Sequence, residues 1–150
     1  MQRALAVVRT DSEATEALVR EAGEIAAGTG STLHLLHVLP EEEYEERMAS
    51  RLETTAGGFS IDEAEREARH IASEVGREAL DGVDVEYETL GVVGREERMI
   101  LDVADEHDCD HVFISGRRRS PSGKALFGDL TQRILLNFDG MVTVQLHDEG

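Results

Sequence analysis

Short apolar runs alternate along the chain with stretches of helical spacing. Leu5-Ala6-Val7-Val8 reads as a buried strand. Asp11 or Ser12 then offers a helix cap. Ala14, Ala17, Leu18, Ala22, Ile25 and Ala26 keep helical spacing until Gly28 and Gly30. The run TLHLLHVL, from Thr32 to Leu39, is a second strand, stopped by Pro40. Glu41 to Arg51 is strongly charged and Gly57-Gly58 follows, so residues 40–60 read as a mobile surface excursion with a helical turn. Ile61, Ala64, Ala68, Ile71, Ala72, Val75 and Ala79 form the cleanest amphipathic stripe. VDVEYETL, from Val83 to Leu90, alternates with period two, and Gly91 and Gly94 bracket a turn. A helix through Met99, Ile100, Val103 and Ala104 ends near His107. A strand from His111 to Ser115 follows, then a glycine- and arginine-rich loop. Leu130, Ile134, Leu135 and Phe138 mark a last helix before the strand Met141 to Leu146.

Strand and helix thus alternate through one domain spanning residues 1–150. That order predicts an α/β fold: a five-stranded, mostly parallel sheet with helices on both faces. Ligands of such sheets sit beyond the carboxyl ends of the strands, where the strand order reverses. Three loops qualify: Arg9 to Asp11, Leu39-Pro40, and Gly116 to Asp129.

Composition narrows the reading. The chain carries 32 acidic and 15 basic side chains, a net charge of −17. Such a molecule is repelled by nucleic acid and by anionic membranes, so neither is an expected partner. Lys124 is the only lysine. Excess carboxylate with almost no lysine is a halophile signature, because concentrated salt screens the self-repulsion. No run approaches a membrane span, no basic-then-apolar leader opens the chain, and Cys109 is alone, so the cytoplasm is the expected compartment.

Against that charge, the segment ISGRRRSPSGKALFGDLTQRILL stands out. Arg117, Arg118, Arg119 and Lys124 place four cations within eight residues, between Gly116, Gly123 and Gly128. Glycines let backbone amides approach a ligand, and the helix starting near Asp129 offers free N–H groups to an anion. A phosphate cradle is one reading. A solvated basic loop pairing with carboxylates of a neighbouring subunit is the other.

Together with VVRTDSEATEALVREAGEIA, LHLLHVLP, LGVVGREERMILDVADEHDCDHVFISGRRR and the closing MVTV, this segment resembles the universal stress protein family over nearly the whole length. The resemblance implies the Rossmann-like sheet, a homodimer through the last strand (Met141 to Leu146), and a stress-response role. It also implies ATP or another adenine nucleotide as ligand, with Mg²⁺ only alongside it. Nucleotide-binding members carry Gly-x₂-Gly-x₉-Gly-[Ser/Thr] and an aspartate at the end of the first strand. Here Gly116 matches the first glycine, the second position holds Arg119, the spacing to Gly128 is eight, and Asp129 replaces the hydroxyl. Arg9 occupies the aspartate position, with Asp11 two residues later as either a ribose ligand or a helix cap.

Carried over, the resemblance assigns Gly116, Gly123 and Gly128 to backbone approach and Ser115 to the strand end. Arg117, Arg119 and Lys124 become phosphate counter-charges. Val8, Asp11 and Leu39 line the adenosine side, Gly91 walls the third strand's turn, and Arg118 faces solvent. A carboxylate capping the last helix at Asp129 would compete with phosphate. A family member that has lost its ligand and acts as a dimeric interaction module is the alternative.

Other chemistry finds little support in the sequence. His34 and His37, three apart in a strand, face opposite ways and share no metal. His107 and His111 flank Asp108, Cys109 and Asp110 at a helix-to-strand turn, where ordinary loop polarity accounts for them better than zinc. The aspartates beside Cys109 raise its thiol pKa, so a reactive cysteine is not expected. No nucleophile elbow, zincin helix or full Walker A loop occurs, and no catalytic base stands out, so an enzyme is not expected.

Overall fold

The computed structural model describes residues 1–9, 13–54, 58–118 and 128–148. The apolar runs form β1 (Arg3–Val7), β2 (Thr32–Pro40), β3 (Tyr87–Gly94), β4 (His111–Arg118) and β5 (Met141–Asp148). Between them lie α1 (Glu13–Thr29), α2 (Glu41–Thr54), α3 (Ile61–Ala79), α4 (Glu96–Glu106) and α5 (Asp129–Asn137). The strands make one sheet in the order β3-β2-β1-β4-β5, every neighbouring pair parallel. The expected α/β architecture is therefore present. Among the described residues, no helix is long and apolar enough to cross a membrane.

Right-handed crossovers decide where the helices go. The chain steps one way from β1 to β3, then returns past β1 to β4 and β5. Helices α1 and α3 consequently share one face of the sheet, and α4 and α5 share the other. Alternate residues of each strand supply the two cores. Ala4, Ala6, Leu33, Leu35 and Phe113 pack with Leu18, Val19, Ala22 and Ala72. Leu5, Val7, Leu36, Val112 and Ile114 pack with Ile100, Val103 and Ile134. Each large side chain so buried stabilises the fold by roughly 1.5–3 kcal/mol.

Three boundaries differ from the sequence reading, each for a local reason. Residues 41–54 are not an excursion but helix α2. Tyr44, buried, and Met48, half-buried, lie four apart and pack with Leu39, Phe59 and Ala64. The Tyr44 hydroxyl donates to the Phe59 carbonyl at 2.8 Å. Four early glutamates had masked that apolar pair.

The third strand runs from Tyr87 through Gly94, rather than ending at Leu90. Val83 and Val85 do reach the core, which explains their alternation. Gly91 lies inside the ladder opposite His37. A Cβ there would stand 2.2 Å from the Arg69 backbone nitrogen and 2.4 Å from the Glu65 carbonyl oxygen. Gly91 is glycine because α3 lies against the strand, and it forms no ligand-side turn.

Strand β4 likewise continues past Ser115 to Arg118, pairing Gly116 with Leu146. Gly116 thus begins no loop. A Cβ on it would meet Val144 Cγ1 at 3.0 Å and Thr131 at 3.4 Å. The amphipathic stripe of α3 begins at a side-chain N-cap, Ser60. Ser60 Oγ accepts from the Glu63 backbone N–H at 3.1 Å and contacts the Glu63 carboxylate at 3.3 Å.

Candidate functional site

The carboxyl ends of β1, β2 and β4 lie along one edge, and the strand order reverses between β1 and β4. A cleft of about 280 Å³ opens beside that point, at the carboxyl ends of β1 and β2. Val8, Leu39 and Ile71 supply its apolar lining, Arg9 and Glu67 its charged lining, and His37 its buried polar wall. Glu43 and Arg47, both from α2, also line it. A neighbouring cleft of about 430 Å³ shares Pro40 and Glu96 with the first and reaches the amino ends of α4 and α5. Both sizes are near the usual range for ligand pockets, roughly 300–1,000 Å³.

Val8 is held by its own backbone. Its N–H donates to the Leu36 carbonyl at 2.7 Å. Its carbonyl accepts from His37 Nδ1 at 2.7 Å. A carbonyl only accepts, so Nδ1 carries the hydrogen, and Nε2 of the neutral ring is an acceptor. Among the described residues Nε2 has no partner. His37 is only 7% exposed, so this acceptor belongs to the cleft and not to bulk solvent.

The rim is made of ion pairs. Arg9 meets Glu96 at 3.8 Å, Arg47 meets Glu67 at 2.9 Å, and Arg133 meets Glu97 at 3.6 Å. Arg47 and Arg51 also sit over the Phe59 ring, at 4.4 and 5.1 Å from its centre, and Arg51 meets Glu63 at 3.1 Å. These contacts pin α2 to α3 over the cleft. Exposed pairs of this kind contribute little each, about 0–1 kcal/mol, so an incoming anion can exchange them at small cost.

At the other end of the crevice, α5 begins without a side-chain cap from the described residues. Gly128 is the N-cap residue and Asp129 the first helical residue, exposed. Thr131 spends its hydroxyl on the Ser115 carbonyl at 3.2 Å. The expectation that Asp129 caps the helix is therefore corrected: the cap position holds a glycine, whose missing Cβ faces open space.

Of the residues singled out from the sequence, Val8 and Leu39 line the cleft. Gly128 sits at the helix amino terminus, and Ser115 lies buried beneath it. Gly116 is packed inside β4, and Arg117 is exposed at the strand's end. Gly91 is removed from the site by its place under α3. Asp11, Arg119, Gly123 and Lys124 lie outside the described residues, as does the side chain of Arg118. Sequence reasoning missed Arg9 as an ion-pair partner, along with His37, Glu67, Ile71, Arg47 and Glu43. His37 carried a signal, since it and His34 are the two imidazoles in a mostly apolar strand.

His34, His107 and His111 lie toward the amino ends of the strands. His34 does face away from His37, as expected. Its Nε2 lies 3.4 Å from a Glu88 carboxylate oxygen, and its ring centre lies 4.9 Å from that of His107. Burial and the neighbouring His107 hold its pKa below the ordinary value. His111 bonds Thr143 at 2.7 Å and stacks on Phe113, apart from His107. Burial lowers its pKa as well. Burial, then Asp110, pushes the Cys109 thiol up to about 11, which makes it a poor nucleophile.

The model of the universal stress protein family matches residues 1–145. Among solved structures, universal stress protein UspA from Lactobacillus plantarum superposes with a TM-score of 0.70 at 18% identity, covering 96% of this chain and 97% of that one. A universal stress protein in complex with cAMP gives 0.61 at 18% identity, covering 95% and 94%. The universal stress protein from Archaeoglobus fulgidus in complex with dAMP gives 0.59 at 20% identity, covering 96% and 97%. Among curated proteins none matches this sequence.

Proposed function

The chain belongs to the universal stress protein family, and on that premise we propose that it binds an adenine nucleotide in the crevice at the carboxyl ends of β1, β2 and β4. One observation carries this reading. An apolar slot between Val8, Leu39 and Ile71 presents an imidazole acceptor, His37 Nε2, without a partner among the described residues. An acceptor so placed suits a flat base bearing an exocyclic amine, because burying it unpaired costs about 1–3 kcal/mol. The amino end of α5, with glycine at its N-cap, suits the phosphate. Two structural neighbours hold dAMP and cAMP, which supports the same ligand class.

The residues fit the group unevenly. The base end is apolar and ready. The phosphate end is crowded by Glu96, Glu97 and Asp129; of its described cations Arg9 and Arg133 are paired with carboxylates, while Arg95, at the start of α4, makes no ion pair among the described residues. Phosphate binding would draw on Arg95 directly, or on Arg9 or Arg133 exchanging a carboxylate for a phosphate, a bidentate match that guanidinium makes well. Mg²⁺ enters only with a nucleotide. The protein acts as a nucleotide-responsive binding module: ligand selects one arrangement of the rim, and the rim presents a changed surface to a partner. A homodimer forms through β5, an edge strand. Met141 is 66% exposed there, and Leu136 on the adjacent α5 is 76% exposed. Net charge −17 sets its working solvent as concentrated salt.

Thermal melts at high and low salt, with ATP, AMP and GTP, test the reading. Adenine nucleotides should stabilise the fold, by about 2.7 kcal/mol at 100-fold excess over Kd. No shift with any adenine nucleotide at millimolar concentration would show that this member has kept the fold as an interaction module without the ligand.

A further inference from the structure

We propose that His34, Glu88 and His107 form a binding site for one first-row transition dication of zinc type, at the end of the sheet opposite the crevice. The sheet register sets His34 directly beside Glu88, on one face of neighbouring strands. The chain leaving α4 then brings His107 to the same spot. There the Cys109 N–H closes on the Ala104 carbonyl at 2.8 Å, and Asp108 takes a left-handed turn at φ 53°. One donor atom from each of the three residues lies within 4.8 Å of the other two.

The geometry is close to what an ion needs. Tetrahedral zinc with bonds of about 2.0–2.1 Å spaces its donors roughly 3.3 Å apart. His34 Nε2 and the Glu88 carboxylate already stand at 3.4 Å. His107 needs to close by no more than roughly 1.5 Å on that spacing, and it sits half-buried at a helix terminus where a rotamer change is cheap. His34 is the fixed member, being buried in the sheet. Its other ring nitrogen faces Cys109 Sγ at 4.0 Å, so the thiol flanks the ring and is not itself a ligand.

Two imidazoles and one carboxylate select the ion class. Nitrogen donors disfavour Mg²⁺ and Ca²⁺, which prefer oxygen, and favour Zn²⁺, Co²⁺ or Ni²⁺. Three protein donors leave a fourth position for water. The site stands independently of the nucleotide reading, since it uses the opposite face and the opposite end of β2.

Titration of the full chain with Zn²⁺, in excess Mg²⁺ to occupy surface carboxylates, tests the proposal. Co²⁺ serves as the spectroscopic probe. We expect one ion per chain and visible bands of four-coordinate Co²⁺. His107→Ala and Glu88→Gln should each weaken binding by at least about tenfold, since losing even a supporting partner of a ligand typically costs that much. Both positions reach the surface, and metal-free melts of the two variants check their folding. His70→Ala, which breaks a separate exposed His70–Glu74 pair on α3, should leave binding unchanged. Absence of stoichiometric Zn²⁺ binding would overturn the proposal. So would binding that survives both His107→Ala and Glu88→Gln, or binding that disappears with His70→Ala.

Discussion

Strand β2 carries two buried histidines three residues apart, and they live in different chemistry. His37, near the carboxyl end, is tied by Nδ1 to a backbone carbonyl and leaves Nε2 to a cleft. His34, near the amino end, turns Nε2 toward a carboxylate and faces a second imidazole. Neither difference lies in the residue. The pleat sends them to opposite faces, and the next strand or helix supplies the partner. An acceptor with no partner belongs with a hydrogen-bond donor, while imidazoles gathered round a carboxylate belong with a cation.

Gly91 joins the two regions, and replacing it should have the largest effect. It pairs with His37, and Glu88, three residues back, pairs with His34. Gly91→Ala would drive a Cβ into the α3 backbone, which cannot yield as a side chain tip would. We expect a loss of about 3 kcal/mol or more in denaturant unfolding, with damage at both ends of β2. A neutral outcome would refute the close packing of α3 on β3.

His37→Leu should separate the regions. It strands the Val8 carbonyl, at a cost of about 1–3 kcal/mol, and removes the base-facing acceptor. Preference for ATP over GTP should collapse, while Zn²⁺ affinity stays as in the parent protein. Retained base preference would remove His37 from the account. Tyr44→Phe should cost about 1 kcal/mol by deleting the bond to the Phe59 carbonyl. It should weaken nucleotide binding through a looser α2 without touching the amino end; calorimetry reads both.

How much of this was legible beforehand divides along the same line. The alternation of strands and helices, the parallel sheet and the carboxyl-end location follow from periodicity, which is local. Helix α2 was hidden because its apolar face is only Tyr44 and Met48 amid glutamates, and that face means nothing until Phe59 and Ala64 return to cover it. Gly91 and Gly116 looked like turn residues because a sequence does not say which helix lies on a strand. The His34–Glu88–His107 group depends on register between β2 and β3, and the ion pairs of the rim on how the helices pack beside one another. Both are long-range properties no spacing rule contains.

Smaller effects sharpen the contrast further. Gly128→Ser should add an N-cap hydroxyl to α5 and stabilise the fold by a few tenths of a kcal/mol. The same hydroxyl competes for the amides, so ATP affinity should fall more than adenosine affinity in parallel titrations. The smallest effect concerns pH. Burial lowers the His111 pKa in the folded state, so its contribution is complete above the ordinary value of 6.5 and fades as pH falls below it. His111→Gln should flatten that part of the stability profile in denaturant titrations between pH 7 and 5.

The most direct test of the central claim is a long-range proton–nitrogen NMR spectrum of the imidazoles at pH 8, before and after AMP. The account predicts His37 in the Nδ1–H tautomer, with its Nε2 signal moving as AMP binds while the His34 and His107 signals stay in place. AMP that leaves the His37 signal unmoved, or a ring carrying its proton on Nε2, would contradict it.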